Sequence, residues 1–425
     1  MKRFKLAGIG CGGRTRTYLS LAAKMPEYFE IVGAADPIAL RVEQVRTEVK
    51  NPAFRSFKDA NELLSVDKFA DILVIGTQDA FHFAPCLAAL QKGYDILLEK
   101  PISNNLREVL ALEKAARELG RKVLVCHVLR YTPFYEKLKE IVASGVLGEI
   151  ISIDANEGVG TFHQSHSFVR GHWSIVEKSS PMIIAKCCHD MDILSWLVDQ
   201  PCEQVSSFGS LSYFNKEHTP TDAPPRCTDG CPLGLSCQYN ALHYLGKQKG
   251  WLKWIYDKTD TATPDEIRAW LAQSPWGRCV YQCDNTAVDH QVISMQFAKN
   301  ITATFTMTAF NSGRNITICG SRAKLHGGDT TKWQSGADII VMEHETWHQT
   351  RHHIGQDPND AYGHGGGDSG LVRALHSEMS KDRPGDMRSS ISRSVESHLM
   401  GFAAETSRLS GKTISIAEFR KLNES

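Results

Sequence analysis

The sequence predicts an α/β protein of two domains. Residues 1–127 read as a doubly wound parallel sheet. Residues 128–425 read as an α+β domain with an open-faced, mainly antiparallel sheet. Three observations carry this. A chain of 425 residues exceeds what one ordinary core encloses. Apolar runs alternate with helix-patterned segments through the first domain, as parallel strands with crossover helices do. Past residue 127, apolar and polar residues alternate with period two, the pattern of an antiparallel sheet with one face open.

The elements follow in order. "FKLAGIGCGG" is a short apolar strand running into glycines, and the helix-patterned "RTRTYLSLAAKM" comes next. Gly8, Gly10 and Gly13 fit G-x-G-x-x-G between strand and helix. Such a turn lets a pyrophosphate approach the backbone and rest on a helix N-terminus, the Rossmann arrangement. "FEIVGAAD" is a second buried strand ending in Asp36. A carboxylate there accepts hydrogen bonds from the adenosine ribose and repels a 2′-phosphate. The expected cofactor is therefore NAD rather than NADP, although nearby Arg41 works against that preference. "ADILVIGT", "YDILLEKP" and "KVLVCHVLRY" read as further strands, "HFAPCLAALQKG" and "NLREVLALEKAARELG" as helices. A doubly wound sheet binds its ligand at the carboxyl strand ends. Thr77, Asp79, His82, Glu99, Lys100, His127 and Arg130 fall there. Of these, Thr77, His82, Glu99 and Lys100 join Gly8, Gly10, Gly13 and Asp36 as the expected cofactor-binding set.

In the second half, "GEIISIDAN", "QVISMQFA", "ITATFTMTAF" and "NITICGSRAKLHG" are the strand patterns. "KSSPMIIAKCCHDMDILSWL", Lys178–Leu197, has helical spacing yet carries Lys186, His189, Asp190 and Asp192. Positions 186, 189 and 192 share one helical stripe, so these side chains can face one cavity. A histidine there can take a hydroxyl proton near neutral pH, with Asp192 orienting its ring. "GTFHQSHSFVRGHW" concentrates His163, His166, Arg170, His172 and Trp173, residue types that bind and stack on a polyhydroxylated or carboxylated sugar. "DAYGHGGGDSGLVRAL", with His364 and Asp368, and "DNTAVDHQV", with Asp289 and His290, are further cavity-lining candidates. "SRSVESHLMGFAAETSRLSG" reads as a final helix capped by Gly411.

Residues 214–277 read as an insertion on the active-site side. It contains Cys227, Cys231 and Cys237, spaced C-x3-C-x5-C. Three cysteines plus one distant ligand could hold zinc. The spacing is looser than paired CxxC motifs, so the expectation is reduced thiols packing the insertion, and no metal is assigned.

Lys+Arg and Asp+Glu balance at 48 each, so no net field favours nucleic acid or an anionic membrane. No apolar run of about 18 residues predicts a membrane span. The opening "MKRFKLAGIGCGG" is too short and too broken by glycine for a signal peptide, so a cytoplasmic protein with reduced thiols is expected.

Several stretches together resemble the glucose–fructose oxidoreductase/inositol dehydrogenase/MocA family. They are the glycine turn, "EKP" at Glu99–Pro101, "LRYTPFYEKLKEIVASGVLGEI" and the H-x-x-D of His189 and Asp192. The resemblance covers nearly the whole chain. It implies that Lys100 lies beside the nicotinamide and the reacting carbon. The family usually carries D-x-x-x-H on this helix; Ala185 stands where that aspartate would be, with Lys186 next to it. The resemblance also implies a homo-oligomer, a dimer or tetramer built through the open sheet face. The reading is an NAD-dependent oxidoreductase acting on a secondary hydroxyl of a sugar or sugar derivative. His189, Lys100 and Lys186 are the expected catalytic residues. Arg130, His163, His166, Arg170, Trp173 and Asp192 are the expected substrate-binding ones. The alternative is a redox-neutral glycosidase or lyase that uses tightly bound NAD through a transient keto-sugar. A cofactor-binding regulator is a third reading.

Overall fold

A computed structural model describes residues 2–328, 337–355 and 364–424. Apolar runs buried on both faces form a six-stranded parallel sheet: β1 (Phe4–Ile9), β2 (Phe29–Ala35), β3 (Arg55–Phe57), β4 (Ile72–Ile75), β5 (Asp95–Leu98) and β6 (Val123–Val125). Their order is β3-β2-β1-β4-β5-β6. The order reverses between β1 and β4, and a ligand crevice opens at the carboxyl ends beside such a switch point. The "KVLVCHVLRY" strand is shorter than its apolar pattern suggests. After Val125 the chain leaves the sheet through a turn over Val128–Tyr131, which carries Arg130 into the second domain.

The second sheet has nine strands: β7 (Ile150–Val159), β8 (Cys202–Ser210), β9 (His290–Phe297), β10 (Thr302–Thr308), β11 (Ser312–Gly320), β12 (Ala323–Gly327), β13 (Ala337–Glu343), β14 (Gln349–Ile354) and β15 (Ile414–Ser415). They run β14-β13-β12-β11-β7-β10-β9-β8-β15. Among the described residues of this sheet, only β7 and β10 pair in parallel. "NITICGSRAKLHG" folds back on itself as β11 and β12. Helices Cys188–Val198 and Ile391–Ser410 pack against the sheet's apolar side. The other side stays open: Phe208, 74% exposed, faces its neighbour Val292 across β8 and β9.

Two helix expectations need correction. Ile391–Ser410 does stop at Gly411, which takes a left-handed φ of 69°, but it is not the last element. β15 and a helix over Ile416–Glu424 follow, and Arg420 of that helix pairs with Glu113 of the first domain. The Lys178–Leu197 helix is broken into Met182–Ala185 and Cys188–Val198. Charge explains the break. At the junction Lys186 reaches a buried carboxylate on β7, and Lys100 Nζ donates to the Ala185 carbonyl at 3.0 Å.

The stretch 214–277 holds short 3₁₀ turns and one longer helix, Pro264–Gln273, started by a Thr263–Glu266 capping box. It has its own small apolar core around Tyr244, Leu252, Ile267, Leu271 and Trp276.

Candidate active site

The glycine turn sets the cofactor side. Gly10 has φ of 78°, and a Cβ there would lie 2.9 Å from the Thr77 backbone nitrogen, so only glycine fits. Gly8 makes room for the helix: a Cβ would meet Leu19 at 2.9 Å and Thr15 at 3.0 Å. The space beside Gly13 is filled from elsewhere. A Cβ there would lie 2.3 Å from the ring of Trp254, in the insertion. Asp36 follows β2 and its carboxylate accepts from Cys11 N at 2.7 Å and Ile38 N at 2.8 Å. These are the features a dinucleotide needs: close backbone approach, a helix N-terminus at Gly12 and a carboxylate for the ribose. Thr77 and His82 do not stand alike. Thr77 is half-exposed at the crevice. His82 is buried, its ring nitrogens 2.8 Å from the Pro101 carbonyl and 3.2 Å from the Thr77 carbonyl, so it ties two crevice loops together.

Glu99 is equally occupied. It accepts from Arg14 Nε at 2.8 Å, Tyr18 Oη at 2.7 Å and the Lys100 backbone N at 2.7 Å. Burial pushes its carboxyl up, but Arg14 and then Lys100 outweigh burial and hold it below the ordinary range. Arg14 continues to Asp368, and Asp368 bonds His364 Nδ1 at 3.2 Å. Burial pushes Asp368 up, yet bonds from His364 and Arg14 win and hold its carboxyl at about 2. Residues 360–363, ahead of His364, lie outside the described residues.

Lys100, Lys186, His189, His364 and His163 lie close together: Lys100 and His364 act on both His189 and His163, and Lys186 acts on His163. His189 is 2% exposed, and its Nδ1 has no hydrogen-bond partner. Its ring centroid lies 5.9 Å from His364 and 6.0 Å from His127. Burial, then the Lys100 charge, hold its imidazole well below the ordinary histidine range. Burial and then Lys186 do the same to His163, whose ring lies 4.9 Å from Trp251 of the insertion. Lys186 Nζ is 3.1 Å from Glu157 on β7; Arg314 on β11 joins Glu157 at 2.9 Å and Asp190 at 2.6 Å. Burial pushes the Glu157 carboxyl up while Arg314 and then Lys186 pull against it, and the facing acidic groups let the largely buried Lys186 stand there. Glu157 and Arg314 were not legible as site residues. The one signal in the sequence is a charge at an inward position of an otherwise alternating strand.

Five expected substrate contacts have other partners. Asp192 forms a two-pronged pair with Arg130, Nε and Nη2 each at 2.7 Å, and both are wholly buried. Asp192 therefore does not orient His189: both its oxygens are taken by Arg130 of the Val128–Tyr131 turn. His166 bonds Tyr244 and its carbonyl accepts from Trp276 Nε1 at 3.1 Å. Arg170 donates to the Arg278 carbonyl at 2.7 Å and the Tyr239 carbonyl at 2.6 Å. These two anchor the insertion. Trp173 Nε1 donates to Asp79 at 2.9 Å, joining the substrate side to the crevice, and its ring lies 5.8 Å from Phe168. Asp289 caps the chain at Ser212 and Tyr213, and it bonds His290.

The arrangement puts a neutral imidazole, two ammonium groups and a histidine–carboxylate dyad beside a dinucleotide crevice. Such a set can take a proton from a hydroxyl and stabilise the oxyanion left behind.

Residues 4–127 match the model of an oxidoreductase family with an NAD-binding Rossmann fold, and residues 139–416 match that family's C-terminal alpha/beta domain. Bacillus subtilis YteT, whose name marks it as an unconfirmed oxidoreductase, is 23% identical over 388 residues, 88% of each chain. Among solved structures, an Agrobacterium radiobacter oxidoreductase in complex with NAD+, L-tartaric acid and magnesium superposes with TM-score 0.69 at 14% identity, covering 98% of this chain and 99% of that one. The transcriptional regulator Gal80p of Kluyveromyces lactis superposes with TM-score 0.70 at 12% identity, covering 99% and 92%. At these identities the two structures share the fold and no more. No helix among the described residues is long and apolar enough to cross a membrane.

Proposed function

The chain belongs to the glucose–fructose oxidoreductase/inositol dehydrogenase/MocA family of NAD-binding oxidoreductases, and from that premise we propose that it oxidises a secondary hydroxyl of a sugar or sugar derivative. The observation that carries the reading is His189, buried, neutral and with Nδ1 unpartnered, in the same space as Lys100 and Lys186. The glycine turn, the Gly12 helix start and Asp36 would hold NAD. Bound there, its nicotinamide supplies the hydride acceptor. His189 takes the hydroxyl proton. Lys100 and Lys186 stabilise negative charge on the oxygen. His163 and Trp173, at the edge of this space, position the sugar ring. The buried Arg130–Asp192 pair fixes the His189 helix to the Val128–Tyr131 turn rather than touching substrate. The protein works in the cytoplasm as a homo-oligomer joined through the open face of the second sheet.

A second reading has its own observation. The His364–Asp368 dyad faces His189 across 5.9 Å, and a second acid/base group is what a transient oxidation followed by elimination needs. One experiment separates the readings. Free sugars, sugar acids and glycosides are incubated with enzyme and NAD, while reduced-nicotinamide absorbance and products are followed together. Stoichiometric NADH from a free sugar is the expected result. Cleaved glycoside without accumulated NADH would replace the first reading by the second. NADH binding without turnover on any of these would favour a regulator.

A further inference from the structure

Cys227, Cys231, Cys237 and Cys279 line one small cavity within the insertion, outside the site described above. Its volume is about 10 Å³, room for a single atom-sized occupant. Backbone hydrogen bonds clamp the two contributing segments side by side. Cys227 N donates to the Gly277 carbonyl at 2.9 Å, and Cys279 N donates to the Pro225 carbonyl at 2.8 Å. Between residues 214 and 263 the regular structure is only short 3₁₀ turns. Segments this poor in regular structure are commonly held by a disulfide or a metal. All twelve cysteines are free, so no disulfide holds this one.

Arg170 gives an independent observation. Its guanidinium lines the same cavity and the residue is 1% exposed. Its hydrogen-bond partners are two carbonyls, the Tyr244 hydroxyl and, at 3.6 Å, the Cys227 sulfur, with no carboxylate. Nη1 has no partner at all. A buried cation without a counter-charge is costly. Four thiolates around one divalent ion carry a net charge of −2 and would supply it.

We propose that Cys227, Cys231, Cys237 and Cys279 bind one zinc ion tetrahedrally, with Arg170 as the buried counter-charge, and that the ion staples the insertion over the active site. A four-thiolate set suits zinc, and the cavity is too small for an iron–sulfur cube. As the side chains stand, no group of three or more His, Cys, Asp or Glu among the described residues is arranged to hold an ion. The proposal requires the four cysteine side chains to turn about χ1 toward the cavity that they line. Burial pushes the Cys237 and Cys279 thiols up, so both carry protons until the metal displaces them.

The test uses the full chain, without a histidine tag, purified under reducing conditions with zinc. Elemental analysis should give about one zinc per chain, and X-ray absorption should give four sulfurs at about 2.3 Å. Cobalt substitution should give the intense visible bands of tetrahedral thiolate cobalt. C231S and C237S should lose the ion. C283S should keep it, because Cys283 bonds the Cys279 carbonyl instead of lining the cavity. Zinc below about one-fifth per chain after loading would overturn the proposal, as would nitrogen or oxygen ligands in the absorption spectrum. Iron with sulfide, or C231S and C237S proteins that retain full zinc, would overturn it equally. The spectroscopy needs only the wild-type chain, so poorly folding variants do not blunt the test.

Discussion

His189 shows how one residue's surroundings set its chemistry. An exposed histidine would be half protonated near pH 6.5. Here burial and then Lys100 disfavour the imidazolium, so the ring stays neutral at lower pH. A group depressed this way keeps its base function until pH falls through the lowered value. The acid limb of kcat/KM is therefore expected below pH 6.5, and a limb at or above it would remove His189 from the role. His189→Ala should lower turnover about 10²- to 10⁴-fold, the usual worth of a general base. NADH affinity, measured by fluorescence titration, should hardly change. Normal turnover in this variant would move the base to His364.

The insertion acts at the scale of an element. The Trp251 ring tilts against His163 at 4.9 Å and His166 at 5.0 Å, Trp254 lies on Gly13, and Asp257 pairs with Arg41 at 3.6 Å. One segment thus touches the reacting space, the glycine turn and the chain beyond β2. The Trp254 ring lies against the start of the helix that a bound pyrophosphate would approach, and we predict that it slows cofactor entry and exit. Losing such an aromatic contact is worth about tenfold in rate. Stopped-flow fluorescence should show NADH entering and leaving Trp254→Ala about tenfold faster than wild type. Unchanged rates would make the ring a bystander.

For the whole molecule, the buried histidines set the response to acid. Burial, the largest cause for each, lowers His166 to about 3 and His398 to about 4, and takes His127 and His163 well down. His398 shows why structurally: Nε2 accepts from Ile102 N at 3.0 Å while Nδ1 faces the Ser394 carbonyl at 2.8 Å. The unfolded chain takes up protons near pH 6.5, and the folded chain does not. This stability is complete above pH 6.5 and is lost as pH falls, by about 1.4 kcal/mol per pH unit for each histidine. Urea midpoints should therefore drop between about pH 6.5 and 5, above the carboxylate range. A flat profile would mean these rings are hydrated. The open face gives a second test at this scale. Phe208 is 74% exposed beside Val292. Phe208→Asp should shift the sedimenting species toward monomer, and an unchanged mass would place the self-contact elsewhere.

The sequence by itself determined the two sheets, their order along the chain and the glycine turn with Asp36. Periodicity, turn residues and strand-end position are local properties that a one-dimensional string preserves. It also drew attention to Lys100, Lys186, His189 and His364. Only the tertiary structure decided their partners. Asp192 looks like the companion of His189 three residues away, but both its oxygens pair with Arg130, 62 residues distant in sequence. Lys186 is balanced by Glu157 and Arg314 from two strands of the second sheet. Trp254 reaches Gly13 across more than half the chain. Charge neutralisation in a low-dielectric interior is settled by which groups come within a few ångströms. Spacing along one segment carries no record of that distance, so the partners of a buried charge appear only when distant segments are folded together.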